Sequence, residues 1–299
     1  MTLNKMNNPV DSRTKYLNLV KQLTGIDFEI TTDEGIDEKR VINHLKNDEQ
    51  VLIRDEDSTI NQRINKRSQI NEARQQYNLE QIFSLALDHV KGDVLIDKLD
   101  LDWVMKFTNL AKNCYTPSMH ELWSKILSVE LVQQGSFSYR SLKTLSELGT
   151  KEAKIFYKAV RLMCRFNDEN SGRLLTGLYK KPTLINIFSS SGKVSLNLNQ
   201  FGLSYTHLIS LAELGLIHQQ EIESAPYNSK DTLKLSQNKQ SFDVVVKQKD
   251  VVFTYYKLTP SGYELSRLVN PPNDSDFINY LLRDFGDLLN GNYDVTTKA

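Results

Sequence analysis

The sequence predicts a mainly α protein, in which a multi-helix domain with a long N-terminal helix precedes a smaller C-terminal α+β module. Three observations support this prediction. Residues 36–91 contain neither glycine nor proline, so nothing interrupts a long helix there. The centre alternates short apolar segments of helical spacing with capping residues. The last third contains two runs rich in β-branched and aromatic residues, at 242–246 and 251–258.

The N-terminal region predicts a short helix followed by one long helix. Residues 15–23 have amphipathic spacing, and Gly25 is placed to end that helix. Residues 51–53 predict either a brief strand or a buried turn of helix. From 58 to about 90 the pattern predicts one helix, polar in its first half and apolar in its second. Such a helix would be roughly 50 Å long, so we expect part of it to be exposed or intermolecular.

The central segment predicts a series of short helices that pack as neighbours. Thr116 precedes a proline at the first helical position, Ser138 precedes the helix that starts at 139, and Thr150 precedes a helix over 151–164. The connections are short, which favours packing between consecutive helices.

We place the domain boundaries where the composition and the predicted secondary structure of the sequence change. The predicted domains are residues 1–92 with the long helix, residues 93–170 as a compact helical core, and residues 171–299 as the C-terminal module. The module ends in an amphipathic helix that begins near Ser275.

Two short motifs make the C-terminal module winged-helix-like. Residues 211–217 read L-A-E-L-G-L-I, and residues 256–262 read Y-K-L-T-P-S-G. This order resembles the end of a winged-helix domain, where a helix leads into a short strand, a hairpin forms the wing and a capped helix follows. The predicted hairpin here consists of the runs 242–246 and 251–258.

Binding to DNA is the alternative that this resemblance raises, and two observations disfavour it. The helix at 205–214 would have to read the groove, yet it contains no Lys, Arg, Asn or Gln to reach bases or phosphates. The chain has 37 Lys+Arg and 37 Asp+Glu residues, so its formal net charge is zero, whereas nucleic-acid binders usually have a basic excess.

A basic stripe lies on the polar half of the long helix. It consists of Arg63, Lys66, Arg67 and Arg74, whose spacing places them close to one line along the helix. Such a stripe is typical of a solvated or partner-binding face, and less often of a face that follows phosphates. We therefore interpret it as a partner-binding stripe, with nucleic acid as the disfavoured alternative.

Glu130 is the most unusual residue of the central segment. It shares a helical face with Trp123, Ile126 and Leu127, so we expect it to be buried and to need a partner. Arg140, one loop away, is the expected partner in a structural ion pair. The alternative is a general acid with a raised pKa, but no nucleophile, metal cluster or phosphate loop accompanies Glu130.

The remaining sequence predicts no enzyme, no cofactor and no metal site. The five histidines are scattered without metal-ligand spacing, and the glycines form no phosphate-binding pattern. Two cysteines, Cys114 and Cys164, are too few for a disulfide framework. The N terminus is polar and no apolar run approaches the ~18 residues of a membrane span, so we expect a cytoplasmic protein.

A family resemblance becomes visible in the central block. The motif W-x-x-I-L-x-x-E at 123–130, the motif G-S-F-S-x-R at 135–140 and the run R-Q-Q-Y-N-L-E-Q-I at 74–82 resemble a bacterial family of uncharacterised proteins. The resemblance implies no activity or ligand, but it implies that Glu130 and Arg140 belong to a shared pattern. By architecture alone, the chain also resembles the alpha-type abortive-infection proteins of phage-defence loci.

These observations predict a non-enzymatic interaction or regulatory protein. We expect it to be a homo-oligomer or to bind a protein partner, because its large apolar and polar helix faces suit contacts with another protein. The sequence shows no motif for catalysis or for binding a ligand. The resemblance adds a role in phage defence. A DNA-binding transcriptional regulator is the alternative, and an enzyme that uses Glu130 is the third reading.

Overall fold

The computed structural model describes residues 9–26, 28–32, 41–44, 50–53, 59–90, 99–167, 169, 171–182, 193–238 and 240–291. Of these, 51% are helical and 21% lie in strands, and two antiparallel four-stranded sheets are present. The protein is therefore α+β, and the prediction of a mainly α fold is wrong. Within the described part of the chain, no helix combines the length and apolarity that crossing a bilayer requires.

The chain divides into two compact units, Met1–Phe83 and Ser84–Ala299. The second unit holds both the helical core that we placed at 93–170 and the module that we placed at 171–299. The first unit ends inside the long helix that we placed within 1–92.

The first unit combines helices with a small sheet. Its elements are α1 (Pro9–Thr24), β1 (Phe28–Thr31), β2 (Val41–His44), β3 (Gln50–Ile53) and the first part of α2 (Ile60–His89). The strands form an antiparallel sheet in the order β1-β3-β2. Both predicted helices are confirmed, and of the two alternatives for residues 51–53 the strand is the observed one.

Gly25 joins α1 closely to α2. Its φ of +72° is the left-handed conformation that ends a helix, and its N–H donates to the carbonyl of Lys21 at 2.8 Å. A Cβ at this position would lie 2.9 Å from the backbone nitrogen of Arg67. Glycine is therefore required both by its φ and by the close approach of the α2 backbone.

The second unit begins with the last turns of α2, and a block of four helices follows. They are α3 (Leu101–Ala111), α4 (Pro117–Val132), α5 (Tyr139–Glu147) and α6 (Thr150–Leu162). The side chains of Asp100, Thr116 and Ser138 each accept a backbone N–H in the first turn of the helix that follows. The cap of α6 differs from the prediction, because Gly149 rather than Thr150 occupies the N-cap position.

Aromatic rings form the centre of this block. Trp103 and Phe107 stack with their ring centroids 5.2 Å apart, and Phe107 meets the ring of Trp123 edge-on at 5.3 Å. Ile126 and Leu127, from the same face of α4, are also buried. The central segment is thus a well-packed core.

The remaining described residues of the second unit form two sheets, three further α-helices and a 3-10 helix at Leu198–Phe201. The strands are β4 (Arg165–Phe166), β5 (Arg173–Lys180), β6 (Val194–Ser195), β7 (Ile222–Glu223), β8 (Thr232–Gln237), β9 (Gln240–Val246), β10 (Val251–Lys257) and β11 (Leu289–Gly291). The helices are α7 (Tyr205–Glu213), α8 (Pro260–Ser266) and α9 (Ser275–Asp284). One sheet has the order β6-β5-β10-β7 and the other the order β11-β9-β8-β4.

The predicted hairpin is absent from this arrangement, although both of its strands exist. β9 pairs with β8 and β11, whereas β10 pairs with β5 and β7 in the other sheet. One feature of the winged-helix-like layout is present: Ile217 bridges to Leu258, and Thr259 caps α8. Residues 171–299 nevertheless contribute strands to two four-stranded sheets in place of a single wing, and β4 of the preceding segment completes one of these sheets.

Candidate functional site

The turn at residues 133–138, between α4 and α5, is held by a buried carboxylate. Glu130, in the last turn of α4, is only 3% exposed. Its Oε1 accepts the backbone N–H of Gly135 at 2.5 Å, and its Oε2 accepts the backbone N–H of Phe137 at 3.1 Å. Backbone amides that would otherwise lack an acceptor are thereby paired with a charge-bearing group.

The predicted partner of Glu130 is not in this network. Arg140 lies in the first turn of α5 with an exposed side chain, and no ion pair joins it to Glu130, both being described residues. The prediction of a Glu130–Arg140 pair is therefore corrected to a carboxylate bound by the main chain. The physical reason is proximity along the chain: Gly135 and Phe137, five and seven residues after Glu130, bring their own N–H groups to the carboxylate.

The side chains of Trp103 and Phe137 form the inner side of the turn. The Nε1 of Trp103 on α3 donates to the carbonyl of Phe137 at 2.7 Å. The Phe137 side chain is 1% exposed. Both backbone polar groups of Phe137 are therefore paired with side chains from the helical block, which fixes the direction in which the chain enters α5.

The outer side of the turn is held by α8. Glu264 accepts the backbone N–H of Ser138 at 2.6 Å and the hydroxyl of Ser141 at 2.5 Å with the same oxygen, Oε2. Arg267 donates to the carbonyl of Ser136 at 3.4 Å and lies over the ring of Phe137, 5.5 Å from its centroid. These contacts join the helical block to the element that follows β10.

Burial dominates the electrostatics of this site. Loss of solvation raises the pKa of Glu130, the backbone N–H groups of Gly135, Phe137 and Ser136 partly oppose that rise, and the charge of Glu264 adds to it. A raised pKa suits a general acid, the alternative reading of Glu130. However, both oxygens of Glu130 already accept main-chain hydrogen bonds, so the geometry is that of a structural group.

The thiols do not supply a nucleophile for this site. Burial raises the pKa of Cys114 to about 11 and that of Cys164 to about 12, so both remain protonated at neutral pH. Among the residues that the structure describes, no three His, Cys, Asp or Glu side chains are grouped so that they could hold a metal ion.

The basic stripe of α2 is only partly open to solvent. Lys66 and Arg67 are exposed, whereas Arg63 and Arg74 are half-buried. Arg74 donates to the side-chain oxygen of Asn71 at 2.5 Å on the same helix. The four side chains therefore do not form one uniformly exposed row of charges.

Sequence reasoning missed a buried cation, Arg173 on β5. Its guanidinium lies 4.7 Å from the ring centroid of Phe166 in one sheet and 5.2 Å from that of Tyr255 in the other. Its Nη2 pairs with Glu169 at 2.5 Å. Arg173 thus connects the two sheets through cation–π contacts. No motif or periodicity signalled it, because the contact with Tyr255 joins β5 to β10, a strand that is distant in sequence.

Fold and site together define an α+β protein whose helical block is tied to a two-sheet module through the 133–138 turn. A family model described as "Protein of unknown function (DUF2806)" matches residues 62–282. Because this match covers most of the chain, the protein belongs to that family, and the predicted membership of an uncharacterised family is confirmed. The match includes Glu130, Glu264 and Arg267, and it begins after α1 and the three-stranded sheet.

Curated proteins and solved structures provide no match to this chain. The likeness to abortive-infection proteins therefore stays a prediction.

Proposed function

We propose that this protein is a non-enzymatic interaction or regulatory protein that self-associates through α1. The observation that carries the proposal is a row of exposed apolar side chains on that helix. Tyr16 is 65% exposed, and Leu19 and Leu23 are each 50% exposed. Their spacing of three and four residues places them on one face of α1. A row of this kind is typical of a surface that another protein covers.

A second copy of the chain is the proposed occupant of this face. The formal net charge is zero, so no long-range repulsion opposes the association of two copies. A helix face that meets its own copy about a two-fold axis contributes each residue twice. Complete burial of a leucine side chain contributes roughly 1.5–3 kcal/mol, and the half-exposed Leu19 and Leu23 of each copy can still gain about half of that to offset the cost of association.

The long helix adds apolar surface to the same unit. Ile60 and Ile64, one turn apart on α2, are 61% and 46% exposed. They lie in the first half of the helix, which the sequence predicts to be polar. They enlarge the apolar surface of this unit that a second copy can cover.

The proposal is tested by sedimentation of the full chain over a range of concentrations. We expect the average mass to rise from that of one 34.4 kDa chain towards twice that value between about 1 and 100 μM. A mass that stays at one chain up to the highest concentration would refute self-association.

DNA binding is the second candidate, and the exposed side of α7 gives it little support. The exposed residues of that helix are Tyr205, Thr206, Ile209 and Glu213, none of which carries a positive charge. A salt-dependent retardation of random duplex DNA would favour this candidate. An unretarded duplex at low salt would eliminate it.

The role in phage defence is the part of the proposal that rests on resemblance alone. We expect cells that express the chain to show fewer plaques than cells with an empty vector, and we expect a variant that cannot self-associate to lose this effect. Equal plaque counts across a panel of unrelated phages would remove the defence role while leaving self-association intact.

A further inference from the structure

A cavity with basic walls lies between α6, β4 and α8. It has a volume of 220 Å³, and its walls include Arg165, Asn238 and Arg267. An apolar side is formed by Val160 of α6 and by Met163 and Leu258. The cavity thus offers positive charge on one side and hydrocarbon on the other.

A second cavity extends the basic character. It has a volume of 390 Å³, it shares Leu258 and Tyr263 with the first, and its walls include His218 and Lys257. None of the described residues that line either cavity is an Asp or a Glu. In a chain with equal numbers of acidic and basic residues, a pair of adjoining cavities without a carboxylate in its walls attracts anions.

Hydrogen bonds position the two arginines at the first cavity. Arg165 donates from Nη2 to the carbonyl of Asn238 at 3.0 Å, which uses one of the five N–H donors of its guanidinium. Arg267 makes a longer bond, 3.4 Å, to the carbonyl of Ser136. Neither arginine forms an ion pair with a carboxylate of the described chain. Both cations therefore keep donors that suit a bidentate acid group.

We propose that the first cavity binds a small organic anion. The head group, a carboxylate or a phosphate, lies between Arg165 and Arg267, and an apolar body packs against Met163 and Leu258. A volume of 220 Å³ corresponds to about seven liquid waters, which fits a metabolite-sized molecule. This site is separate from the exposed face of α1, and it does not depend on self-association.

The test is a titration of the full chain with three probes of similar shape, followed by calorimetry or by amide chemical shifts. Benzoate supplies a carboxylate, phenyl phosphate supplies a phosphate, and benzamide is the neutral analogue of benzoate. We expect benzoate or phenyl phosphate to bind at least about tenfold more tightly than benzamide, because charged hydrogen bonds distinguish them. The tighter of the two anions identifies the head group.

Variants assign the binding to the cavity. Arg165→Gln should weaken binding of the preferred anion about tenfold or more, whereas Arg140→Gln, which removes an exposed arginine outside both cavities, should leave it unchanged. Asn270→Trp, at a wall residue that is exposed, should block the cavity without removing a charge. An affinity for benzamide equal to that for the tighter anion, no binding of either anion at millimolar concentration, or full binding by Arg165→Gln would overturn the proposal.

Discussion

Glu264 accepts the hydroxyl of Ser141 at 2.5 Å, and the two residues are 123 positions apart in the chain. The same oxygen also accepts the N–H of Ser138, the cap residue of α5. One carboxylate on α8 therefore supports both the start of α5 and the turn that precedes it. This long-range contact connects the helical block with the sheets of the second unit.

The coupling between Glu264 and Ser141 is measurable. In a double-mutant cycle of Glu264→Gln and Ser141→Ala, we expect an interaction free energy of about 1 kcal/mol or more, because the residues share a partly buried hydrogen bond. The measurement is urea unfolding of the four proteins. Ser146→Ala is the matched control, because its exposed hydroxyl bonds only to Lys143 of its own helix. The control cycle combines Ser146→Ala with Glu264→Gln. If the interaction free energy for Ser141 and Glu264 is as small as the one for Ser146 and Glu264, the contact contributes nothing to stability.

Removing the Glu130 side chain should destabilise the fold. In Glu130→Ala the buried N–H of Phe137 loses its acceptor and the packing of the side chain is lost, so we expect a loss of about 2–4 kcal/mol. Arg140→Ala should cost less than about 0.5 kcal/mol, because Arg140 is exposed. The free energies of unfolding in urea provide the comparison. Similar losses for both variants would restore the ion pair that the sequence predicted.

The pH dependence of stability gives an independent test of the same carboxylate. The pKa of Glu130 is raised above its usual 4.5, so the folded state retains the proton to a higher pH than the unfolded chain does. The contribution of Glu130 to stability is therefore complete below pH 4.5 and decreases as the pH rises through the folded-state pKa.

The measurement compares the wild type with Glu130→Gln, which does not titrate at this position. We expect the wild type to lose stability relative to the variant as the pH increases from 4.5 towards neutrality. The opposite slope would indicate a lowered pKa, which is what a pair with Arg140 would produce.

Gly25 should be highly sensitive to substitution. Gly25→Ala combines a left-handed φ with a Cβ only 2.9 Å from the Arg67 backbone, so we expect faster amide exchange throughout α1. Gly215→Ala is the control, because Gly215 has a φ of +69° and nothing within 4 Å of its Cβ position. It should cost only the roughly 1 kcal/mol of the left-handed conformation. If the two variants lost the same free energy of unfolding, the close approach of Gly25 to the α2 backbone would contribute nothing beyond the left-handed φ.

The helices were predictable from the sequence because their signals are local. Asp100, Thr116, Ser138 and Thr259 all act at helix starts, and α2 occupies the second half of the region without glycine or proline. Such signals depend on residues within one turn of each other.

The sheets were less predictable because their pairing is non-local. β5 is buried along most of its length and lacks the alternation that marks a half-exposed strand, so its sequence does not distinguish it from a buried helix. β9 and β10 are neighbours in sequence, and only the partners β8 and β5 reveal that they belong to different sheets. The acceptor role of Glu130 was likewise not predictable. Its partners are backbone N–H groups, which nearly every residue has, so no particular residue type in the sequence indicates them.

Self-association through α1 is the central claim, and the double variant Leu19→Glu/Leu23→Glu tests it most directly. Both leucines are half-exposed, so the substitutions should leave the fold intact while placing charge on the proposed interface. Tyr205→Glu, at another exposed apolar residue, is the control. Sedimentation at about 100 μM should give a dimer for the wild type and the control and a single chain for the double variant. A double variant that keeps the mass of the wild type, or a wild type that is already a single chain, would contradict the account.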